Sequence, residues 1–214
     1  MNIKTPMNRS VYSAARRIGM SISPGNTKLG EVVSFSLPSL ISCPGASSWC
    51  RKACYAKGLE SRYSNVMKAY FRNWALMRNL RLFAKEMIRS LPKTLTCVRI
   101  HVSGDFFSAA YVRAWIKICS AFPDTQFWAY TRSWRVAKLA PELEKLRALP
   151  NVHLFASWDA SIPEPLPEGW RVARAEKEIT GFRCPHETGR VDTCLSCGYC
   201  WKPKTKGSLS FLAR

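Results

Sequence analysis

The chain has 214 residues, of which 47% are hydrophobic and 12% aromatic, and this composition excludes a disordered or fibrous protein. Lysine and arginine outnumber aspartate and glutamate by 33 to 14, which gives a formal net charge of +19. So large a charge predicts an anionic partner: a nucleic acid, an anionic, phosphate-bearing small molecule or a membrane surface. No stretch approaches the ~20 apolar residues of a membrane span and no signal peptide is evident, so we expect a cytoplasmic protein without a membrane anchor.

The length predicts one domain, 1–214, with three parts of different composition. Residues 1–30 are basic and rich in turn-forming residues, which predicts an arm. Residues 31–182 carry the apolar segments of the expected folded body. Residues 183–214 contain four of the nine cysteines, which predicts a cysteine-rich tail that binds a cluster.

Strand-like and helix-like segments alternate along the folded body. Strands are predicted at residues 31–37, 96–102, 125–131, 152–157 and 170–175. Helical spacing of apolar residues predicts one long helix or two abutting helices over 61–90, and further helices over 109–122 and 135–149. This alternation is typical of βα units with a parallel sheet. Because five strands are too few for an eight-stranded barrel, we expect an α/β fold built as a partial, open TIM-like barrel, with the cysteine-rich loop and tail at the rim formed by the carboxyl ends of the strands.

Polar side chains stand at the carboxyl ends of the predicted strands. They are Asp105, Arg132, Asp159 and Glu176. Because sites in parallel α/β folds lie at these ends, we expect the four side chains to converge on one rim and to bind a cofactor or substrate. The alternative is that they cap the helices that follow, although an arginine cannot cap a helix N-terminus.

The nine cysteines are an odd number in a protein expected to lie in a reducing compartment, so a disulfide framework is excluded. Cys97 and Cys119 stand alone in apolar segments and are interpreted as small buried hydrophobic residues. The other seven fall into two groups. Ligation of a metal or a cluster is therefore the leading explanation for them.

The second group consists of Cys184, Cys194, Cys197 and Cys200. Its C-x2-C-x2-C run brings three thiolates to one centre, and Cys184 can supply a fourth. Consecutive spacing of this kind is typical of [4Fe–4S] proteins. Structural zinc sites more often join two separate cysteine pairs, and zinc is the alternative here, with His186 as an additional ligand.

The first group consists of Cys43, Cys50 and Cys54, and it has no evident fourth member. Three protein ligands would leave one iron of a cluster open, where it could bind a substrate or cofactor or act as a Lewis acid. Alternatively, both groups lie at the same rim and one cluster takes its four cysteines from the two of them. The sequence does not separate these arrangements.

Three separated motifs carry a family resemblance. They are CPG at residues 43–45 with C-x3-CYA at 50–56, HVSGDFF at 101–107, and C-x2-CG-x-CW at 194–201. Together they resemble the phage and plasmid proteins called gene product 88. That family is itself similar to radical S-adenosylmethionine (SAM) enzymes, which implies an iron–sulfur cluster at the mouth of a partly open barrel. A phage-encoded member would lie in the host cytoplasm.

The wider resemblance also implies a place for SAM. In radical SAM enzymes a Gly-Gly-Glu stretch after the second strand holds the amino group of SAM, and Ser103-Gly104-Asp105 stands where that stretch would be. Ser103 and Asp105 are therefore candidates for cofactor or substrate binding. The cysteine spacing departs from the radical SAM pattern, because intervals of six and three residues replace three and two.

Three functions are compatible with these features. The first is a [4Fe–4S] protein with a substrate pocket beside the cluster and radical-SAM-like activity. The second is a hydrolase or hydratase that uses an open iron, with His101 and Asp105 as acid–base groups, although His101 can equally be a buried structural histidine. The third is a nucleic-acid-binding module stabilised by zinc, and the net positive charge favours this function. Whether the protein is an enzyme stays open at this point.

Overall fold

The computed structural model describes residues 19–213, which form one seven-stranded sheet. The strands lie side by side in chain order: β1 (Ile22–Ser23), β2 (Val33–Phe35), β3 (Cys97–Ile100), β4 (Gln126–Thr131), β5 (Val152–Asp159), β6 (Arg171–Glu176) and β7 (Leu209–Leu212). β1 is antiparallel to β2, and every later neighbour is parallel. Within the described residues no pairing joins β1 to β7, so the sheet is open. The prediction of a mixed α/β fold with a mostly parallel, open sheet is confirmed.

Seven α-helices connect or flank these strands within residues 19–213. They are α1 (Ser48–Lys52), α2 (Tyr55–Arg62), α3 (Ser64–Leu76), α4 (Leu80–Ser90), α5 (Ala109–Ser120), α6 (Ala140–Arg147) and α7 (Cys194–Cys197). A 3-10 turn, Ser133–Arg135, follows β4. None of the helices in the described part of the chain is both long and apolar enough to cross a membrane.

The helical segment predicted over 61–90 is divided by two interruptions. Tyr63 is extended (φ −123°, ψ 98°) and separates α2 from α3. Asn79 then caps α4, because its side-chain oxygen accepts a hydrogen bond from the Leu82 amide at 2.9 Å. Of the two alternatives predicted over 61–90, the structure has two consecutive helices, α3 and α4, preceded by the end of α2. Over these residues, all of which the structure describes, a single long helix is absent, because local capping creates breaks that the apolar periodicity does not show.

Two of the seven strands were not predicted from the sequence. β1 is only two residues long and lies in the segment interpreted as an arm. Of that segment, residues 1–18 lie outside the described part of the chain, whereas Met20 and Leu29 are buried, so residues 19–30 pack against the sheet. β7 follows the cysteine-rich tail and pairs with β6. The expected count of five strands was therefore too low.

The sheet has two faces of different character. Val98 and Ile100 of β3 pack in the main core with α4, α5 and α6. Their neighbours Cys97 and Arg99 point to the opposite face, because side chains alternate along a strand. On that face Cys97 packs with residues of the cysteine-rich tail. Helices therefore cover one face of the sheet, and the tail lies on the other.

Candidate functional site

All four cysteines of the second group line a single cavity on the tail-covered face of the sheet. The cavity is bounded by Cys184, Cys194, Cys197 and Cys200. Arg99 of β3 and Tyr130 of β4 form part of its wall, and His186 also contacts it. The cavity wall thus joins the C-x2-C-x2-C run to the distant Cys184. None of the first group lines this cavity.

Local hydrogen bonds shape the tail around the cavity. Thr193 and Ser196 form a capping box that starts α7, which carries two of the cysteines. Gly198 ends α7 in the left-handed conformation (φ 72°), which turns the chain back towards Cys200. The Trp201 indole then donates to the Cys194 carbonyl at 3.0 Å. Three thiols spaced by two residues are thus held on one side of a compact turn.

The tail also links the two edges of the open sheet. The Cys194 amide donates to the Lys28 carbonyl at 2.8 Å, next to the β1–β2 edge. At the other edge the Cys184 amide donates to the Ser210 carbonyl of β7 at 3.0 Å. A centre held by these cysteines would therefore join segments that the sheet itself leaves apart. The energy of such a centre would contribute directly to the stability of the fold.

Arg99 is a buried cation on the cavity wall. The residue is 8% exposed, and its Nε donates to the His101 carbonyl at 3.3 Å. Its guanidinium lies 4.6 Å from the ring centre of Tyr130. Among the ion pairs of residues 19–213, none includes Arg99. A buried charge is costly unless an anion accompanies it, so the cavity is electrostatically prepared for a negative group.

Burial raises the pKa of two thiols near Arg99, those of Cys194 and Cys200. Burial raises the pKa of Cys200 to about 11, although the Tyr130 hydroxyl, 2.9 Å from its sulfur, and the Arg99 cation act to lower it. Burial also raises the pKa of Cys194, against the lowering effect of Arg99 and Lys28. Among the described residues, no group of three or more His, Cys, Asp or Glu side chains stands at the spacing that holds a metal ion. The thiols surround the cavity without converging on one point.

The first cysteine group lies near the carboxyl ends of the strands, close to Asp105 and Arg132. Burial raises the pKa of Cys43 to about 12, with further contributions from the charges of Asp105 and Cys50. Cys54 and Arg132 are likewise close enough to Cys50 to influence its pKa. The three thiols therefore lie together beside the predicted polar rim, in a place distinct from the cavity of the second group.

Three of the four predicted rim residues form one hydrogen-bonded network. Asp159 accepts from Arg132 Nη2 at 2.9 Å and from the Ser47 hydroxyl at 2.6 Å. Ser47 in turn caps α1 through the Cys50 amide at 3.0 Å, so the network holds the cysteine loop. Asp105 accepts from the Arg132 amide at 2.9 Å and from Thr131 at 2.6 Å. Burial raises the pKa of Asp105, and these hydrogen bonds oppose the rise.

Ser103 interacts with a carboxylate that the sequence analysis did not single out. Its hydroxyl donates to Glu60 at 2.9 Å, and Glu60 also accepts from the Ser39 amide at 2.7 Å. Glu60 is the only acidic residue between positions 48 and 76, a signal that could have marked it. Arg99 could have been noticed in the same way, as a cation inside an apolar strand.

His101 and Glu176 lie apart from the rim network. His101 adopts a left-handed conformation (φ 63°), and its ring bonds to the Tyr111 hydroxyl at 2.8 Å within an aromatic core. Burial lowers the pKa of His101 to about 3, assisted by the Arg99 charge, so the ring is neutral. Glu176 accepts from Thr180 at 3.1 Å and makes no hydrogen bond or ion pair with the rim network within the described residues. Neither side chain is brought to Asp105.

Comparison with known proteins gives a family for this chain. A family model described as Gene product 88 matches residues 13–203. The Gene 88 protein of Mycobacterium phage L5 is 34% identical over an alignment of 218 residues, covering 82% of this chain and 85% of the phage protein. The Gene 88 protein of Mycobacterium phage D29 is 32% identical over 216 residues, with the same coverage of 82% and 85%. No solved structure matches. The chain belongs to the gene product 88 family.

Proposed function

We propose that this protein binds a [4Fe–4S] cluster through Cys184, Cys194, Cys197 and Cys200. The observation that carries the proposal is that these four thiols share one cavity with the buried cation Arg99. Four thiolates around a cluster form an anionic group, which would supply the negative charge needed to balance the buried Arg99 cation. The residues present therefore fit the cofactor in number, in ligand type and in electrostatics.

The spacing of the ligands favours a cluster over zinc. Cys194, Cys197 and Cys200 stand on one compact turn and follow each other at intervals of two residues. Iron–sulfur clusters commonly take three thiolates from one such run, whereas structural zinc is usually held by pairs from two separate loops. Cys184 arrives from the β7 edge as the fourth ligand. When bound, such a cluster would supply one-electron chemistry or act as a structural tie.

Tyr130 and Arg99 would set the reduction potential of this centre. The Tyr130 hydroxyl lies 2.9 Å from the Cys200 sulfur and would donate to its thiolate form. Hydrogen bonds to cluster sulfurs and nearby charges are the levers by which proteins set cluster potentials. Both side chains are fixed, because the Arg99 guanidinium stacks on the Tyr130 ring.

The first cysteine group supports a second centre with an open position. Cys43, Cys50 and Cys54 lie together beside the rim, and Arg132 is held there by Asp159. Three thiolates would leave one metal position for a substrate, and the guanidinium is suited to an anionic one. Asp105 and Ser103 are engaged with their own chain, so the proposal assigns no step to SAM and no acid–base role to Asp105 or His101.

The proposal also covers the shape of the sheet and the origin of the protein. We propose that the sheet is part of a TIM-like barrel, and six consecutive parallel strands in chain order, with helices on one face, support this. The phage origin of the relatives supports a phage-encoded protein that acts in the host cytoplasm.

The test compares two cysteine variants after anaerobic purification. Cys197→Ala removes a proposed ligand, whereas Cys119→Ala removes a buried cysteine of α5 that belongs to neither group. We expect iron and sulfide to fall by at least about half in the first variant, and to stay at the wild-type level in the second. Equal iron and sulfide in both variants would remove Cys197 from the ligand set.

A further inference from the structure

An exposed apolar stripe runs along α2 and α3. Its members recur at every fourth position, and they are Tyr55, Leu59, Tyr63, Met67 and Phe71. Residues four apart lie on the same side of a helix, so Tyr55 and Leu59 share one side of α2, and Met67 and Phe71 share one side of α3. The extended Tyr63 lies between the two helices. Tyr63 is 47% exposed and Phe71 43%. Contiguous exposed apolar residues of this kind mark interaction sites more often than single ones do.

The stripe is not the face by which α3 packs on the protein. Asn73 is buried, and its Nδ2 donates to the Ser36 carbonyl at 2.9 Å and to the Ser21 carbonyl at 2.8 Å. Trp74, three positions after Phe71, lies at the border of the stripe, where it packs edge-on against Phe107. Phe71 precedes Asn73 by two positions, which places it on roughly the opposite side of the helix. The helix is thus attached by one face, while the stripe is a second apolar face that the described residues leave uncovered.

The surroundings of the stripe are uniformly basic. The lysines and arginines between positions 48 and 76 are all exposed, and they are Arg51, Lys52, Lys57, Arg62, Lys68 and Arg72. The one carboxylate in this stretch, Glu60, is engaged by Ser39 and Ser103. Within residues 48–76, six exposed cations thus stand against one carboxylate, so this surface carries a clear excess of positive charge.

We propose that this stripe binds single-stranded nucleic acid. Aromatic side chains on which bases stack, flanked by cations that follow the phosphates, are what such strands require. A second copy of the chain would bring a net charge of +19 against the same basic surface. The chain's own first residues are also unsuitable, because Lys4, Arg9, Arg16 and Arg17 would meet like charges.

The surface lies next to the first cysteine group. Cys54 is the residue immediately before α2, and the Tyr55 hydroxyl donates to the Val102 carbonyl beside the rim. A strand bound along the stripe would therefore end near the proposed open centre. The binding surface itself rests on the exposed rings and cations and does not require that any metal be bound.

The experiment measures binding of fluorescently labelled oligo-dT and oligo-rU of twenty nucleotides by anisotropy, at several salt concentrations. Tyr63→Ala and Phe71→Ala should each weaken binding about tenfold, the loss typical of one stacked base. Lys68→Ala should weaken binding and reduce the salt slope by about 0.7, as for one phosphate contact. Thermal melting of each variant verifies that it is folded.

Matched controls are available on other parts of the surface. Phe182 is an aromatic residue of similar exposure, at 45%, and lies outside the stripe. The Lys145 side chain on α6 is 65% exposed. Phe182→Ala and Lys145→Ala should bind as the wild type does. Absence of salt-dependent binding by the wild type would overturn the proposal, and so would equal losses in stripe and control variants. In the alternative outcome, the stripe variants bind oligonucleotides as the wild type does but lose binding to phosphatidylserine vesicles. That result would overturn the proposal and assign the stripe to membrane binding.

Discussion

The guanidinium of Arg99 lies 4.6 Å from the ring centre of Tyr130, and the hydroxyl of that ring lies 2.9 Å from the sulfur of Cys200. A buried cation, an aromatic ring and a thiol are thus connected in series across two neighbouring strands and the tail. Cys200 thereby contacts the face of the sheet that helices do not cover. The charge buried in β3 therefore lies beside the cysteines that the tail brings to the cavity.

Removing the Arg99 charge should alter the centre more than the fold around it. In Arg99→Leu, a cluster would lose its nearest buried cation and become harder to reduce, by on the order of 50 mV. Arg99→Lys should shift the potential less, because the charge is kept. Spectroelectrochemical titration of the anaerobic protein checks this order. If Arg99→Leu and the wild type have the same reduction potential, Arg99 does not influence the centre.

The predicted elements show what the sequence contains and what only the folded chain supplies. β3, β4, β5 and β6 were found because their apolar runs are bounded by polar or turn-forming residues. β1 escaped notice because two residues carry no periodicity. The division between α2, α3 and α4 also lies outside the periodic pattern, since it depends on the extended backbone at Tyr63 and on a cap at Asn79.

The grouping of the four tail cysteines was predictable from the sequence, whereas the residues around them were less so. Cysteine spacing was sufficient to assemble the second group, which the cavity joins. The left-handed backbone at His101 turns that ring into the core, and no local pattern reports such a conformation. The role of Arg99 could not be predicted, because its contacts with Tyr130 and Cys200 join residues that are far apart in the chain.

The ion pair between Arg132 and Asp159 should be a major support of the cysteine loop. Asp159 is 1% exposed, and Asp159→Asn would leave the guanidinium without its anion and weaken the hydrogen bond from Ser47. Breaking a buried pair from one side costs about 3 kcal/mol. Urea denaturation should show this loss, whereas Arg113→Gln in an exposed pair should lower the free energy of unfolding by less than about 1 kcal/mol. Equal effects would contradict the assignment.

Gly45 should be intolerant of any side chain. A Cβ at this position would stand 2.1 Å from the Arg132 carbonyl oxygen, and backbone cannot move aside as a flexible side chain can. Gly45→Ala should therefore lower the free energy of unfolding by about 2 kcal/mol or more. At Gly58 a Cβ meets nothing within 4 Å, and Gly58→Ala in α2 should be neutral or slightly stabilising. The same denaturation measurement on both variants decides the point.

The buried His101 should make the fold sensitive to acid. Its pKa in the folded protein is lowered to about 3, below the usual value near 6.5 for an unfolded chain. The unfolded state therefore binds an extra proton between these values. Stability from this group is complete above about pH 6.5 and is lost as pH falls towards 3, by about 1.4 kcal/mol per pH unit.

His101→Asn tests this pH dependence. Asparagine tolerates the left-handed conformation and does not titrate, so the variant should lose stability less steeply between pH 6 and pH 4 than the wild type does. Urea denaturation at each pH supplies the two slopes. A steeper or equal slope in the variant would show that another group accounts for the acid sensitivity.

The central claim is that the four cysteines around Arg99 hold a [4Fe–4S] cluster. Its most direct test is purification of the wild-type protein without oxygen, with iron, sulfide and zinc analysis and an absorption spectrum. We expect a brown protein with a broad shoulder at about 400 nm and about four irons and four sulfides per chain, or about eight of each if the first group also binds a cluster. A colourless protein with stoichiometric zinc and no sulfide would contradict it and assign the same cysteines to a structural zinc site.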